Sequence, residues 1–176
     1  LEVYSNFIGK IDSLKAKGFT PMPSYVPVPE HEKMRPNELV LTTFKVNAQT
    51  HSRTQNCKLL SEIYHSNPAW IHPDTAKARG IKNGDKIRVK SPIGEIVIKA
   101  RVTEGVHPKV IAISHHCGHW AYGRYASGKA VFPDKKDEKP WWTDHGVHPN
   151  WIIPNSPDPV AGALRWMDTV VKVEKA

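Results

Sequence analysis

Residues 39–56 have the sequence LVLTTFKVNAQTHSRTQN and change character halfway. The first half, from Leu39 to Val46, is mostly apolar and β-branched, which predicts a buried strand. The second half consists almost entirely of hydrogen-bonding side chains and includes His51 and Arg53. This pattern is typical of a chain that leaves a core and runs over a polar ligand. The loop that follows the strand is therefore the first candidate binding site.

The length and composition fit one globular domain with an appended arm. The chain has 176 residues, of which 39% are hydrophobic and 24% are charged. These values suit a soluble protein with a modest core. No apolar run is long enough for a transmembrane helix, and residues 1–4 lack the basic and apolar start of a signal peptide. We therefore expect no direct membrane insertion.

The net charge of +8, from 25 Lys and Arg against 17 Asp and Glu, favours an anionic partner. Nucleic acid, the phosphates of a cofactor and an acidic surface are the three candidates. The positive charges are spread along the chain, and Lys135-Lys136 is followed directly by Asp137-Glu138. This diffuse distribution argues against a dedicated nucleic-acid groove, so we expect no nucleic-acid partner.

The first 38 residues differ in composition from the rest. Five prolines lie between Pro21 and Pro36, a density that excludes a regular helix or a central strand. Before them, residues 7–14 predict a short helix that ends near Gly18. We assign residues 1–38 to an extended arm packed on a neighbour or to an interdomain linker, and residues 39–176 to a separate domain.

The remaining chain predicts six or seven short strands and two or three short helices. Ser52 is a suitable N-cap for a helix that reaches about Tyr64, with Leu59, Leu60 and Ile63 as its apolar face. The further predicted elements are a strand at 69–72, a helix at 74–79, a hairpin over 85–102, a strand at 110–114 and a closing strand at 169–175. Residues 121–149 predict a long loop. Many short strands with few helices favour a closed or nearly closed β-barrel.

The predicted strand 110–114 leads into His115-His116-Cys117-Gly118-His119. Three imidazoles and a thiol can bind zinc, but consecutive residues at the end of a strand point to opposite faces. Cys57 and Cys117 also lack the spacing of a zinc site or of an iron–sulfur site. We therefore predict no metal ligands here. Histidines that face a ligand and histidines that are satisfied within the loop remain alternatives.

Several motifs occur in one order along residues 39–175, and that order is more specific than any single motif. They are Asn67–Pro73, Ala76, Gly80–Val89, Gly94–Ile96, Val102–Gly105, Asn150 and Asp158-Pro159. Together with the polar loop after Val46, this series resembles the C-terminal molybdopterin-dinucleotide-binding domain of the dimethyl sulfoxide reductase family of molybdenum and tungsten oxidoreductases.

The resemblance implies a mainly β fold, a six-stranded double-psi β-barrel with a few short helices. It implies one of four domains in a larger catalytic subunit, which binds bis-molybdopterin guanine dinucleotide with molybdenum or tungsten. The metal's protein ligand would lie in another domain, so we predict no catalytic residue and no metal ligand in this chain, and no activity for the chain alone. The expected partners are the remaining domains and an iron–sulfur electron-transfer subunit, in the periplasm or cytoplasm of a prokaryote.

The resemblance also implies a substrate class and a set of site residues. The His-His-x-Gly-His segment is similar to that of enzymes of anaerobic respiration that act on thiosulfate, polysulfide, tetrathionate or arsenate. Lys45 stands where the family usually has an arginine, and a lysine cannot pair with a phosphate in bidentate fashion. The predicted cofactor-binding residues are Lys45, Asn47, Gln49, Thr50, His51, Ser52, Thr54, His115, His116, Gly118, His119, Asn150, Asn155 and Asp158.

Some assignments keep a second interpretation. Asp158 can accept hydrogen bonds from guanine N1 and N2 or cap the turn before Pro159. The tryptophans can stack on guanine, but aromatic residues in loops more often pack against another domain; these are Trp120, Trp141, Trp142, Trp151 and Trp166. Two alternative functions also remain: a stand-alone double-psi barrel subunit of a formylmethanofuran dehydrogenase-like complex, and a basic module that binds nucleic acid or protein.

Overall fold

The computed structural model describes residues 4–119, 144–158 and 160–176. Trp120, Trp141, Trp142 and most of the predicted loop 121–149 lie outside these residues. The six strands are β1 (Glu38–Phe44), β2 (Ala69–Ile71), β3 (Lys86–Lys90), β4 (Glu95–Val102), β5 (Val110–Ser114) and β6 (Thr169–Lys175). The α-helices are α1 (Asp12–Lys15), α2 (Pro29–Glu32), α3 (Lys58–Ile63) and α4 (Pro73–Ala78), and 3-10 turns occur at Ile8–Lys10 and Pro149–Ile152.

The strands close into a barrel in the order β1-β5-β2-β4-β3-β6. Two pairs are parallel, β1 with β5 and β2 with β4, whereas the other pairs are antiparallel. The predicted hairpin is β3 and β4, with Val89 opposite Ile96. The expected six-stranded double-psi barrel with a few short helices is confirmed.

The barrel core follows from the alternation of side chains along the strands. In β1, Leu39 and Leu41 are buried, and in β4 every second residue is buried. The β5 strand is different, because four of its five residues are buried, as its continuous apolar sequence predicts. The β-branched side chains of Ile71, Ile111 and Ile113 are fully buried, and burial of such a side chain contributes about 1.5–3 kcal/mol.

The prediction that a helix begins at Ser52 is wrong. Residues 50–56 form turns, and α3 begins only at Lys58, so Ser52 caps no helix. Side-chain hydrogen bonds among Gln49, Thr50 and Thr54 stabilise these turns. Bonds of this kind give the backbone an alternative to helix formation. The predicted apolar face is not buried either, since Leu59 is 73% exposed and Ile63 is 70% exposed. In addition, β1 ends at Phe44 and not at Val46.

The N-terminal 37 residues contain short elements that contact one another and the barrel. The predicted single helix at 7–14 is two short helical segments, separated at Ile11. His31 Nε2 lies 2.8 Å from the carbonyl oxygen of Asp168, and Arg165 lies 3.3 Å from Glu30. The division of the chain at residue 38 stays a prediction. Within the described residues, no helix combines the length and the apolarity that a membrane span requires.

Asn67 joins three parts of the fold. Its side chain is fully buried, and Nδ2 donates hydrogen bonds to the carbonyl oxygens of Ser114 and Val147, both at 2.7 Å. Its Oδ1 accepts from the backbone N–H of Val147 at 2.8 Å. This one amide therefore holds the segment 144–148 against the end of β5.

His116 lies just beyond β5 and is buried on the opposite side from His115. It is 2% exposed, its ring packs against Tyr64 at a centroid distance of 5.1 Å, and neither ring nitrogen has a hydrogen-bond partner within the described part of the chain. Burial, with a smaller contribution from His115, lowers the pKa of His116 to about 4. The side chain is therefore neutral at physiological pH.

We predict that Asn67→Ala destabilises the fold by about 3 kcal/mol, because it leaves buried backbone groups of Ser114 and Val147 without partners. Urea denaturation measures the difference. Asn37→Ala is the matched control, since Asn37 is exposed and its side chain holds no such contact. A free energy of unfolding for Asn67→Ala within about 0.5 kcal/mol of wild type would contradict this role.

We predict that His116 makes the fold acid-sensitive. The unfolded histidine binds a proton below about pH 6.5, whereas the folded one does so only near its pKa of about 4, so stability falls as the pH decreases between these values. The full loss from this residue is about 3 kcal/mol.

The check is urea denaturation at several pH values for wild type, His116→Phe and the control His107→Gln, whose side chain is exposed. His116→Phe should lose less stability on acidification than the other two proteins. Equal acid sensitivity in all three would exclude His116 as the cause.

Candidate functional site

A cavity of about 560 Å³ lies at one end of the barrel. The parallel pairing of β1 with β5 places Phe44 beside Ser114, so both strands end together and their following segments leave at the same side. The residues that line the cavity are Thr43, Phe44, Lys45, His51, Ser52, His115, Cys117, Gly118, His119, His148, Asn150, Trp166 and Met167.

The structure brings half of the predicted site residues together. Those that line the cavity are Lys45, His51, Ser52, His115, Gly118, His119 and Asn150. Those that do not line it are Asn47, Gln49, Thr50, Thr54, His116, Asn155 and Asp158. That these residues bind the cofactor stays a prediction. Their positions distinguish residues that line the cavity from residues that lie outside it.

Three of the residues outside the cavity organise the loop that carries His51. The backbone N–H of Thr50 donates to Thr54 Oγ1 at 2.8 Å, and this hydroxyl donates to Gln49 Oε1 at 2.6 Å. Gln49 is 7% exposed, and its Nε2 donates to the carbonyl oxygen of Tyr64 at 2.8 Å. No helix begins at Ser52, because residues 50–56 are turns. The polar side chains of this loop therefore set its shape.

His51 adopts a backbone conformation that is rare for its type. Its φ angle is +54°, the only positive value among the described non-glycine residues. The left-handed region costs an L-residue about 1–2 kcal/mol, and the surrounding hydrogen bonds must offset it. In this conformation His51 Nδ1 lies 3.2 Å from His115 Nε2, with a ring centroid distance of 5.1 Å.

Gly118 allows a second segment to close on the cavity. Its φ angle is +87°, and a Cβ atom here would overlap with the backbone of Val147 and His148. The Gly118 N–H donates to the carbonyl oxygen of His145 at 3.0 Å. Only glycine permits this approach, which brings His148 and Asn150 beside the end of β5.

The cavity is rich in groups that are cationic or can become cationic. Lys45 and four histidines line it, and no carboxylate is present among its described lining residues. Burial, followed by His51 and Lys45, lowers the pKa of His115, and burial followed by His119 lowers the pKa of His148. Burial raises the pKa of Cys117 to about 12, so its thiol is protonated and inert. This arrangement favours an anionic ligand.

Asp158 and Asn155 are placed differently. The Asp158 carboxylate accepts hydrogen bonds from the backbone N–H groups of Val160, Ala161 and Ala163 at 2.8–2.9 Å. These bonds also lower its pKa. This is the geometry of the turn-capping alternative, and it leaves the carboxylate few free acceptor positions for a guanine. Asn155 is exposed.

Six lining residues were not among the predicted contacts. They are Thr43, Phe44, Cys117, His148, Trp166 and Met167. Phe44 and Cys117 adjoin predicted residues along the chain, and Thr43 and His148 each precede a predicted residue by two positions. Trp166 and Met167 are 54% and 53% exposed. The sequence offered Trp166 only as an alternative guanine-stacking residue, and no local pattern marks Met167, because the fold brings their turn to the cavity from the far end of the sequence. Within the described residues, no group of three or more His, Cys, Asp or Glu residues can hold a metal ion.

Curated relatives match most of this chain. It is 32% identical over 158 residues to the thiosulfate reductase molybdopterin-containing subunit PhsA of Salmonella typhimurium strain LT2, covering 89% of this chain and 19% of the relative. It is 34% identical over 146 residues to the arsenate respiratory reductase molybdopterin-containing subunit ArrA of Shewanella sp. strain ANA-3, covering 78% and 16%. The dimethyl sulfoxide reductase DmsA of Escherichia coli strain K12 is 30% identical over 182 residues, covering 99% and 20%.

A solved structure shows the same fold. Acetylene hydratase from Pelobacter acetylenicus superposes with a TM-score of 0.63 and 17% identity, covering 92% of this chain and 22% of that protein. The chain therefore spans about a fifth of the length of the curated relatives and of this structural neighbour.

The family described as "Molydopterin dinucleotide binding domain" matches residues 39–169, most of the chain. This range begins at the second residue of β1, contains β2 to β5 and ends at the first residue of β6, and it includes every described lining residue of the cavity. The chain thus belongs to the family of molybdopterin-dinucleotide-binding domains of the dimethyl sulfoxide reductase type of oxidoreductase, whose cofactor is molybdopterin guanine dinucleotide with molybdenum or tungsten.

Proposed function

We propose that this chain binds a guanine dinucleotide arm of bis-molybdopterin guanine dinucleotide through its pyrophosphate and positions it within a larger oxidoreductase. The observation that carries this proposal is the cavity at the barrel end, with Lys45 and four histidines and no carboxylate among its described lining residues. A pyrophosphate carries negative charge and many acceptor oxygens, which N–H donors and cations satisfy.

The described residues fit this cofactor in size and chemistry. A cavity of about 560 Å³ has the volume that ordinary cofactor and ligand sites occupy. Lys45 and Ser52 would hold phosphate oxygens, and Asn150 would offer an amide to a pterin edge. The glycine at position 118 lets the backbone of Val147 and His148 pack closely against it, which brings His148 and Asn150 to the cavity.

When bound, the cofactor supplies the two-electron redox chemistry at its metal. This chain's residues bind and orient it. Lys45 would balance phosphate charge, the histidines would offer ring N–H donors to phosphate oxygens, and the barrel walls would exclude water from one side. We assign no described residue to the metal, and we propose that the chain alone is inactive.

We also propose a substrate class and partners for the whole enzyme. The relatives named for thiosulfate and arsenate support a sulfur or arsenic oxyanion, or polysulfide, as the substrate class in anaerobic respiration. The chain covers only 19% and 16% of the length of these two relatives. This coverage supports the remaining domains of a catalytic subunit as its partners. We further propose an iron–sulfur electron-transfer subunit as the electron partner and residues 1–38 as the arm that joins this domain to its neighbours.

We predict that the chain binds diguanosine pyrophosphate (GppG), which carries the pyrophosphate diester and guanine of the cofactor. At about pH 6, two-dimensional amide NMR should show shifts at residues 43–52, 115–119, 148–150 and 166–167. Lys45→Met should weaken binding about tenfold, because it removes a charge-assisted phosphate contact.

Lys90→Met is the matched control, since Lys90 is an exposed lysine at the end of β3 and does not line the cavity. An equal loss of GppG affinity in both variants would show that the effect comes from net charge alone, which would contradict a specific role for Lys45. No shift with about 1 mM GppG, or shifts only with duplex DNA, would overturn the proposed function.

A further inference from the structure

Two imidazoles from different segments meet at the cavity. His115 follows β5, His51 lies in the loop after β1, and their facing ring nitrogens are 3.2 Å apart. A nitrogen-to-nitrogen hydrogen bond needs one proton between the two atoms. The pair can therefore be neutral or carry one positive charge while this hydrogen bond stays intact, whereas two positive charges would set N–H against N–H.

The fold places the segments that carry the two histidines side by side. The backbone N–H of His115 donates to the carbonyl oxygen of Phe44 at 3.4 Å, which continues the β1–β5 pairing beyond the strand. The loop bonds of Thr50 and Thr54 keep His51 at its φ angle of +54°. Backbone strain of this kind persists only where surrounding contacts determine it, and here it aims one imidazole at the other.

The surroundings disfavour a positive charge on His115 when no ligand is present. Burial and the proximity of His51 and Lys45 lower the pKa of His115. No described lining residue is a carboxylate that could balance a positive charge. An anion in the cavity would supply that missing counter-charge and so favour protonation.

We propose that the His51–His115 pair is a proton-linked anion receptor, which takes up one proton when a pyrophosphate diester binds in the cavity. This inference rests on the proposed function and adds its regulation: affinity for the dinucleotide decreases as the pH rises through the neutral range. The proton enters at a ring nitrogen of one histidine, and the shared hydrogen bond spreads the charge over both rings.

The other titratable groups near the pair are His116, Cys117, Lys45, His119 and His148. His116, behind His115, is neutral because its pKa is about 4, and the Cys117 thiol is neutral because its pKa is about 12. Lys45 adds a positive charge. His119 and His148 act on each other electrostatically and form a second histidine pair on the same cavity, so the experiment must separate this pair from His51 and His115.

The test is calorimetric titration of the full chain with GppG, whose pyrophosphate diester keeps its charge across the neutral range. Titrations in PIPES and in Tris at about pH 7 measure the protons exchanged, because the two buffers differ in ionisation enthalpy. We expect a net uptake approaching one proton and about tenfold weaker binding at about pH 8 than at about pH 6. Ring ¹⁵N shifts should show His51 or His115 becoming an imidazolium on binding.

Two variants locate the proton. His51→Asn keeps a polar side chain that tolerates a left-handed backbone, and His115→Gln keeps a hydrogen-bonding group on the other side. Each should abolish the proton uptake and flatten the pH dependence, whereas His107→Gln, an exposed histidine outside the cavity, should leave both unchanged.

The outcomes are distinct. Binding of GppG without proton uptake, or uptake that persists in both variants and so belongs to His119 and His148, overturns this inference and leaves the proposed function intact. No binding of GppG at either pH overturns the proposed function and this inference with it.

Discussion

The parallel pairing of β1 with β5 is the contact on which the site depends. Its register runs from Val40 beside Val110 to Phe44 beside Ser114. Parallel neighbours end at the same edge of a sheet, so the segments after Phe44 and after Ser114 emerge side by side although 70 positions separate them in the sequence. The alternating burial of β1 fixes this register, because a slip of β1 by one residue would turn Leu39 and Leu41 outward.

The segments that leave this edge are held by side-chain to backbone hydrogen bonds, since they contain little regular structure. Gln49 and Thr54 shape the first loop, and Asn67 joins the end of β5 to residues 144–148. Each of these polar groups is partly or fully buried and has partners, as a stable interior requires. The cavity between the loops is therefore a preformed feature of the barrel, with an electrostatic preference for anions that its lining determines.

The sequence predicted the barrel well because strands with one buried face alternate with a period of two, and tight turns have characteristic residues. The hairpin of β3 and β4, the doubly buried β5 and the closing β6 all lie where these patterns indicate. The helix at Ser52 was mispredicted because a capping residue is only a local signal, and the Thr54 side chain hydrogen-bonds to Thr50 and Gln49 within the loop instead. The structure places Lys45, His51 and His115 at the cavity. Gln49 and Thr54, which the sequence grouped with them as cofactor-binding residues, support the loop instead.

By itself, the sequence determined the fold class, the presence of a polar loop after the first strand and the histidines after β5, because each is encoded in a short run of residues. Only the tertiary structure decided that His51 meets His115, that Gly118 lets His148 approach, and that Trp166 and Met167 complete the cavity. These are contacts between residues distant in sequence. Their geometry follows from strand register and barrel closure, which no local pattern of side chains specifies.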